Sequence, residues 1–500
     1  NLKLICNGEI YNYKQLYKIL NIVPDTLSDC EVILHLYTKF GIKQTLQLLD
    51  GVFAFVLIDH AKKKVIVARD TYGVRPLFKM KKVSEYSDNI QYIFASELKQ
   101  MPYIENRTDK LEYTVKQFPP GTYQVYDYSL YSDKNTFVID SPYISYSSPN
   151  SFINNTINHH NVYKHVFDSL EAAVIKRIDN TDREIACLLS GGLDSSIIAS
   201  LVKKNYNKPL HTWSIGFKGS EDLKYAKIVA NHIGSIHHNI EVSEEEFLQS
   251  IEEVIYAIES YDTTSVRASV GNWLISKYIK NGSDAKVVFN GDGSDECTGG
   301  YMYFHMAPNE LEFDKECRRL LGNIHYFDVL RSDRSISSHG LEARTPFLDR
   351  NFVQQYLSIP YKFRYHPKNK NCEKYLLRKS IELYGKKLLP HCVLWRTKEA
   401  FSDGVSNEKK SWFSIINDHM KNTLFKDVGD IDSYIKKYDR VINKPNTLEQ
   451  IYYRNVFEKY FNKKNSSIIP YFWMPRYVNA VDSSARTLSI YKEKMKEKND

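Results

Sequence analysis

Long apolar runs, paired cysteines and a strong excess of one charge are all missing from this 500-residue sequence, and each absence removes a class of protein. The longest uninterrupted apolar stretch, Val52 to Ile58, is seven residues, whereas a helix crossing a bilayer needs about twenty. No transmembrane helix and no membrane partner are therefore expected. The seven cysteines (6, 30, 187, 297, 317, 372 and 392) are scattered and include no CxxC pair, which excludes a disulfide scaffold and fits reduced thiols in the cytoplasm. A formal net charge of +8 is mild for this length, and Lys492, Lys494, Lys496 and Lys498 read as a solvated tail, so no nucleic-acid partner is expected. The chain opens on Asn1, without a methionine or a signal peptide, and is expected to be the remainder of a longer protein.

What is present is enough apolar residue, 42%, for packed interiors, in a chain too long for one ordinary core. Two domains are expected. Residues 1–128 mix strands with two helices. Val52–Ile58 and Lys64–Arg69 are β-rich runs separated by a polar turn, and Asp29 to Phe40 reads as a helix with Val32, Ile33, Leu36 and Tyr37 on one face. From about Ser129 to Asn161 the sequence turns polar, which sets a domain boundary between 1–145 and 146–500.

Beyond it, strands and helices alternate. Val162, Val166, Leu170, Val174 and Ile178 mark a helix; strands are expected at Ile185–Leu189, His211–Phe217, His238–Val242 and Lys286–Phe289. Helices are expected at Ser195–Lys203, Glu221–Ile233 and Ala268–Ile279. Another, capped by Ser243 with Glu246, carries Phe247, Ile251, Val254 and Ile258. Such repetition implies a parallel sheet covered on both faces, with a mostly helical stretch after about Pro308.

Two loops in this region carry chemistry. Ser190-Gly191-Gly192-Leu193-Asp194-Ser195-Ser196 lies between a buried strand and a helix, where unpaired N–H groups and the helix dipole attract an anion. Glycines allow close approach to phosphate oxygens, and Ser190, Ser195 and Ser196 add hydroxyl donors. Asp194 would repel bare phosphate and so points to a bridging Mg²⁺. The loop is not a Walker A motif, and it resembles the pyrophosphate loop of ATP pyrophosphatases. A capped strand–helix turn is the bland alternative. The second loop, Asn290-Gly291-Asp292-Gly293-Ser294-Asp295-Glu296, follows the strand ending at Phe289 and opens on the same sheet edge, where doubly wound folds bind ligands. Asp295 could complete a Mg²⁺ site with Asp194; otherwise the loop is a plain acidic turn.

With NGEIYN (7–12), SDCEVI (28–33), ESYDTTSVRAS (259–269), GGYMYFH (299–305), HGLEARTPFLD (339–349), WRTKEAFSDG (395–404) and SARTLSIYK (484–492) in the same order, the whole chain resembles the glutamine-dependent asparagine synthetases, nearer the eukaryotic-like type. The resemblance implies a partial class II (Ntn-type) glutamine amidotransferase domain, followed by a PP-loop ATP pyrophosphatase domain with a parallel sheet and a helical C-terminal part. It implies ATP-dependent conversion of aspartate to asparagine through β-aspartyl-AMP, with glutamine or ammonia as nitrogen source, in an enzyme that is often a homodimer. By resemblance Leu188 and Ile215 border adenine and ribose, and Asn290 and Gly291 contact the nucleotide. Asp194 and Asp295 hold Mg²⁺ and pyrophosphate, Thr264 and Arg267 bind aspartate, and Lys398 neutralises phosphate charge. In the first domain Asn7 and Gly8 match an oxyanion hole, and Glu9 and Asp29 bind the glutamine amino end. Read alone, Asn-Gly-Glu is a turn signature.

Two departures stand out. The family's Ser-Gly-Glu is Asn290-Gly291-Asp292 here, so Asp292 is the expected equivalent of a Glu implicated in adenylate formation and in proton handling when ammonia attacks. The family's N-terminal cysteine nucleophile lies several dozen residues ahead of the NGE motif, and this chain contains none; Cys6 is not a substitute. As it stands the chain is expected to use ammonia. Two rival readings are a differently specific adenylating relative, opposed by GLEARTPFLD and KEAFSDG, and a non-catalytic relative, supported only by Asn290 and Asp292.

Overall fold

The computed structural model describes residues 1–84, 87–101, 111–128, 139–367, 372–396, 412–426, 428–436, 438–439, 441–480, 482–484 and 488. The chain forms two compact units, Asn1–Pro149 with Tyr460–Ile468, and Asn150–Lys459 with Ile469–Asp500.

In the first unit β1 (Leu2–Ile10), β2 (Gly51–Asp59), β3 (Lys64–Arg69) and β7 (Thr122–Asp127) pair antiparallel in that order, with the short β8 (Ile139–Asp140) and β9 (Ile144–Ser145) both on β7. A separate three-stranded sheet has the order β5 (Ser87–Ala95), β4 (Phe78–Ser84), β6 (Leu111–Gln117). Helices α1 (Tyr13–Leu20) and α2 (Val32–Leu48) share a core with the larger sheet: Leu16, Ile33, Leu36 and Tyr37 meet Phe53, Phe55, Leu57 and Ile66. The opposite face of β2 and β3 is also covered, Ala54 and Val67 packing with Leu77, Phe118 and Tyr126. Burial of both faces explains why β2 is a continuous apolar run rather than an alternating one. The expected helix end at Phe40 falls one residue before Gly41, whose φ of +73° interrupts the helix before it resumes to Leu48.

The second unit holds a fully parallel sheet of β10 (Ile185–Leu188), β11 (His211–Gly216), β12 (Ile236–Glu241), β13 (Val287–Phe289) and β14 (Glu342–Arg344), in the order β12-β11-β10-β13-β14. The first strand is central, so the winding reverses between β10 and β13. Helices α3 (Val162–Asp179), α4 (Leu193–Asn205) and α5 (Glu221–Ile233) accompany the first strands. The Ser243-capped segment is two helices, α6 (Glu244–Gln249) and α7 (Ile251–Ile258). They part at Ser250, whose hydroxyl donates to the Glu246 carbonyl at 2.8 Å. Helix α8 (Thr263–Gly282) starts five residues before Ala268, because the Asp262 carboxylate accepts the Ser265 N–H at 2.9 Å and its hydroxyl at 2.8 Å. After β13 come α9 (Ser294–Thr298), α10 (Glu310–Asn323), α11 (Asp328–Ser337), α12 (Arg350–Ser358), α13 (Tyr361–Arg364) and α14 (Tyr375–Tyr384). All seven cysteines are free, and no helix among the described residues is long and apolar enough to cross a membrane.

Candidate active site

The phosphate-type loop leaves β10 and turns at Gly191, φ +72°, where a Cβ would lie 2.4 Å from the Ala226 nitrogen; only glycine fits between strand and α5. Gly192 then caps α4. Ser195 braces the turn: its hydroxyl lies 3.0 Å from that of Ser190 and accepts the Ser190 N–H at 3.1 Å. Asp194 sits in the first turn of the helix, at its electropositive end. Ser196, expected as a third donor, is fully buried and does not line the cavity beside the loop.

The second loop touches the first. A Cβ on Gly291 would lie 2.8 Å from both Asp194 Cβ and the Ser195 nitrogen, so the loops meet across a glycine. Asn290 is anchored below by its amide donating to Ser332 Oγ at 2.7 Å. Ser294 Oγ donates to Asp194 Oδ1 at 2.8 Å. Lys374 joins the two: its ammonium is 2.7 and 2.6 Å from the Asp194 oxygens and 2.6 Å from Asp295 Oδ1. Lys374 has φ +59°, a conformation that costs a non-glycine residue roughly 1–2 kcal/mol. A Cβ on Gly300 would lie 1.9 Å from Lys374 Cε and 2.2 Å from Asp295 Oδ1, so that glycine makes room for the pair.

Further acids line the same cavity. Asp292 pairs with Arg331 at 3.0 Å, and Arg331 pairs with Asp328 at 2.7 Å. The Tyr301 hydroxyl lies 2.7 Å from Glu296 Oε1 and 3.0 Å from Asp328 Oδ2, with one proton to donate between them. Burial pushes the Glu296 carboxyl well above the usual range, and the adjoining Asp328 carboxylate pushes it further. Burial would also raise Asp328, but Arg331 overcomes it and holds Asp328 below its ordinary value. The two carboxyls are thereby pushed in opposite directions, Glu296 towards its neutral form and Asp328 towards its charged one.

A single cavity of about 180 Å³ is lined by Leu188, Ser190, Gly192, Asp194, Ser195, Ile215, Thr264, Asn290, Gly291, Asp292 and Asp295, all singled out in the sequence. Gly191 stays just outside it and accepts from Arg396 Nη1 at 3.2 Å. Polar atoms in this wall, Thr264 Oγ1 and Asp292 Oδ2 among them, are shielded from solvent without a hydrogen-bond partner among the described residues. Arg267 is not brought to the cavity. It is buried with its guanidinium committed to two carboxylates: Nε to Glu449 at 2.8 Å, Nη1 and Nη2 to Asp482 at 2.7 and 2.9 Å. Lys398 lies outside the described residues. Lys374, Arg331, Asp328, Glu296, Tyr301 and Arg396 also line the cavity and were not assigned roles from sequence. Glu296, Tyr301 and Arg396 stood inside the quoted motifs; Lys374, Arg331 and Asp328 had no local signal.

In the first unit Asn7, Gly8 and Glu9 are strand interior, not a turn. Gly8 stands opposite Phe53, where a Cβ would come 2.3 Å from the Val52 carbonyl oxygen, so close strand packing overrides the Asn-Gly turn preference. Asn7 Nδ2 donates to Ser96 Oγ at 3.1 Å. The Asp29 carboxylate accepts the Ile10 N–H, which ties Asp29 to the end of the same strand. Burial raises its carboxyl despite that bond.

A parallel sheet with a Ser-Gly-Gly-x-Asp-Ser loop at its point of reversal, facing an acidic loop from the neighbouring strand, defines a PP-loop ATP-using enzyme. Two family models match, that of asparagine synthase over residues 165–312 and 305–476 and that of the glutamine amidotransferase domain over residues 1–138. Asparagine synthetase (glutamine-hydrolyzing) of Gallus gallus is 46% identical over 99% of this chain and 88% of its own length. The Bos taurus enzyme is 44% identical over 98% and 87%, and the Homo sapiens enzyme 42% over 99% and 88%. The chain belongs to the glutamine-hydrolyzing asparagine synthetase family, carbon–nitrogen ligases that make asparagine from aspartate at the expense of ATP.

Proposed function

We propose that the second unit makes asparagine through β-aspartyl-AMP. The observation that carries this is the meeting of two loops at Gly291, which sets Asp194 and Asp295 around one point at the N-terminus of α4, in a cavity also lined by Thr264 Oγ1 and Asp292 Oδ2, which have no hydrogen-bond partner among the described residues. Leu188 and Ile215 flank the nucleoside, Asn290 and Gly291 contact the nucleotide, and Ser190, Gly191, Gly192 and Ser195 hold the departing pyrophosphate. Thr264 donates to substrate aspartate. Arg267 acts through its ion pairs, steadying the helix that presents Thr264. Lys398 neutralises charge on the phosphates.

The donor set fits Mg²⁺. One ammonium nitrogen lies 2.6 Å from both Asp194 Oδ2 and Asp295 Oδ1, so both oxygens reach a single cation. Mg²⁺ takes one or two carboxylates and completes its shell with phosphate and water. Mg²⁺ there would polarise the phosphate oxygens and ease their negative charge.

The aspartate β-carboxylate attacks the α-phosphorus, the bond to the bridging oxygen breaks, and pyrophosphate leaves onto the loop. Ammonia then attacks the acyl carbon, its proton passes to Asp292, and the carbon–oxygen bond to AMP breaks. Arg331 fixes the Asp292 carboxylate for that transfer. In the first unit Asn7 and Gly8 form an oxyanion hole, and Glu9 and Asp29 hold the glutamine amino group. The amidotransferase part is residues 1–145 and the synthetase part 146–500. The enzyme is a cytoplasmic homodimer.

The test is incubation with ATP, Mg²⁺, aspartate and ammonium, measuring AMP, pyrophosphate and asparagine. Equal amounts of the three support the reading; nucleotide binding without AMP refutes it.

A further inference from the structure

Lys374 places a positive charge where the proposed divalent cation belongs. We infer that this lysine is a place-holder for that cation. In the nucleotide-free protein its ammonium fills the site between Asp194 and Asp295, and the metal binds tightly only with nucleotide phosphates, onto which the ammonium then turns. The inference rests on the cavity being the ATP site.

Occupancy is the first argument. The Nζ atom lies 2.6–2.7 Å from both Asp194 oxygens and 2.6 Å from Asp295 Oδ1, and 3.2 Å from Ser294 Oγ. A divalent ion needs those same oxygens at about 2.0–2.1 Å, so the two cations exclude each other by space and by charge.

Placement is the second. Lys374 alone carries the chain into α14 in a left-handed conformation, φ +59° and ψ +28°. The residue before it is pinned, since Arg378 donates to the Glu373 carbonyl at 2.8 Å and to its carboxylate at 2.6 Å. Gly300 supplies the space for Cε. A lysine merely satisfying surface acids needs none of this, and its side chain would not be 99% buried, at 1% exposure.

The third argument is what must follow. Two neighbouring carboxylates, 14% and 17% exposed, repel each other unless a cation lies between them. Once a metal takes them, the buried ammonium needs a new anion, and the phosphates arriving in the same cavity are the ones at hand. Metal and nucleotide therefore bind with positive coupling, each helping the other.

The test is Mn²⁺ binding to the full chain, read by the electron paramagnetic resonance of the free ion, with and without α,β-methylene-ATP. Wild type should bind Mn²⁺ at this site weakly without the nucleotide and tightly with it. Lys374→Met should bind it without nucleotide at least about tenfold more tightly than wild type, Lys374→Arg should behave as wild type, and Asp194→Asn in the Lys374→Met background should lose the gain. Lys374→Gln, neutral but still able to hydrogen-bond both acids, replaces Lys374→Met if that variant does not fold. Equal nucleotide-free affinities in wild type and the neutral variant, or a gain that survives Asp194→Asn, overturn the inference even where the analogue binds. A folded wild type that binds no analogue overturns the ATP-site reading itself.

Discussion

Replacing Arg267 with methionine separates a residue that holds substrate from one that holds the fold. Its guanidinium makes two-pronged contacts to Glu449 and Asp482, whose side chains are 1% and 8% exposed. Methionine keeps most of the volume but strands both carboxylates. Breaking a buried ion pair by removing one partner costs about 3–5 kcal/mol. At about 2.1 cal/mol/K of unfolding entropy per residue, spread over the whole second unit, that loss lowers its melting temperature by roughly 4–7 °C. Calorimetry of wild type, Arg267→Met and Arg267→Lys measures it. Lysine can serve one carboxylate but not both forks, and should fall between. Pairing the mutation with Glu449→Gln and Asp482→Asn removes the stranded charges and should recover most of the loss. The reasoning fails if Arg267→Met melts within about 1 °C of wild type while the KM for aspartate rises roughly 100-fold, the pattern of a direct substrate contact.

Three other outcomes are expected. Asp194→Asn should lower pyrophosphate release roughly 100- to 1000-fold, the scale of a lost electrostatic group, while circular dichroism and melting stay near wild type, because Asp295 still pairs with Lys374. Thr264→Val should raise the aspartate KM roughly 10- to 100-fold, the worth of a hydrogen bond to a carboxylate, with no loss of stability, since Thr264 Oγ1 has no hydrogen-bond partner among the described residues. Asp349→Asn should cost about 3–5 kcal/mol at pH 7 by removing the buried carboxylate that pairs with Arg177 and Lys176. Burial alone would raise the Asp349 carboxyl, but Arg177 and Lys176 bring it down to about 2 from an ordinary 3.8. A depressed native pKa stabilises above the unfolded value and loses that contribution as pH falls, so the gap from wild type in urea unfolding should narrow between about pH 4 and pH 2.

Elements with strong local signals were legible to the residue. Helix α5 spans Glu221–Ile233 as its pattern indicates, because Ser220 caps one end and Gly234, in a left-handed conformation, closes the other. Strand β12 runs Ile236–Glu241 rather than His238–Val242, since its limits are set by pairing with β11, where Ile236 stands opposite His211. The early start of α8 was hidden because its first turn is polar and shows no apolar period; Asp262 begins it by capping. Both loops were legible because glycines cluster there within a few residues with serines in 190–196 and with acids in 290–296. Lys374 was not. Its partner Asp194 is 180 positions away, and nothing beside Lys374 distinguishes it from a surface lysine until the fold closes.

The cavity poses an electrostatic problem that these placements resolve. It would receive a triphosphate, yet Asp194, Asp222, Asp292, Asp295, Glu296 and Asp328 all line it. Unpaired, such acids would repel the substrate and raise one another's pKa. Each is instead answered within the wall. Arg396 pairs with Asp222 at 3.2 Å and also reaches the Gly191 carbonyl, so the cation that neutralises this acid braces the phosphate loop. Arg331 serves Asp292 and Asp328 together, and Glu296, pushed towards its neutral form by burial and by Asp328, meets the Tyr301 hydroxyl. Asp194 and Asp295 share Lys374, the one cation in the set whose partners a metal can take over. Moving that lysine leaves the other pairs intact and frees a positive charge for the phosphates. An acid-lined cavity can therefore accept an anion by moving Lys374 alone in its wall, provided the metal and the nucleotide arrive together.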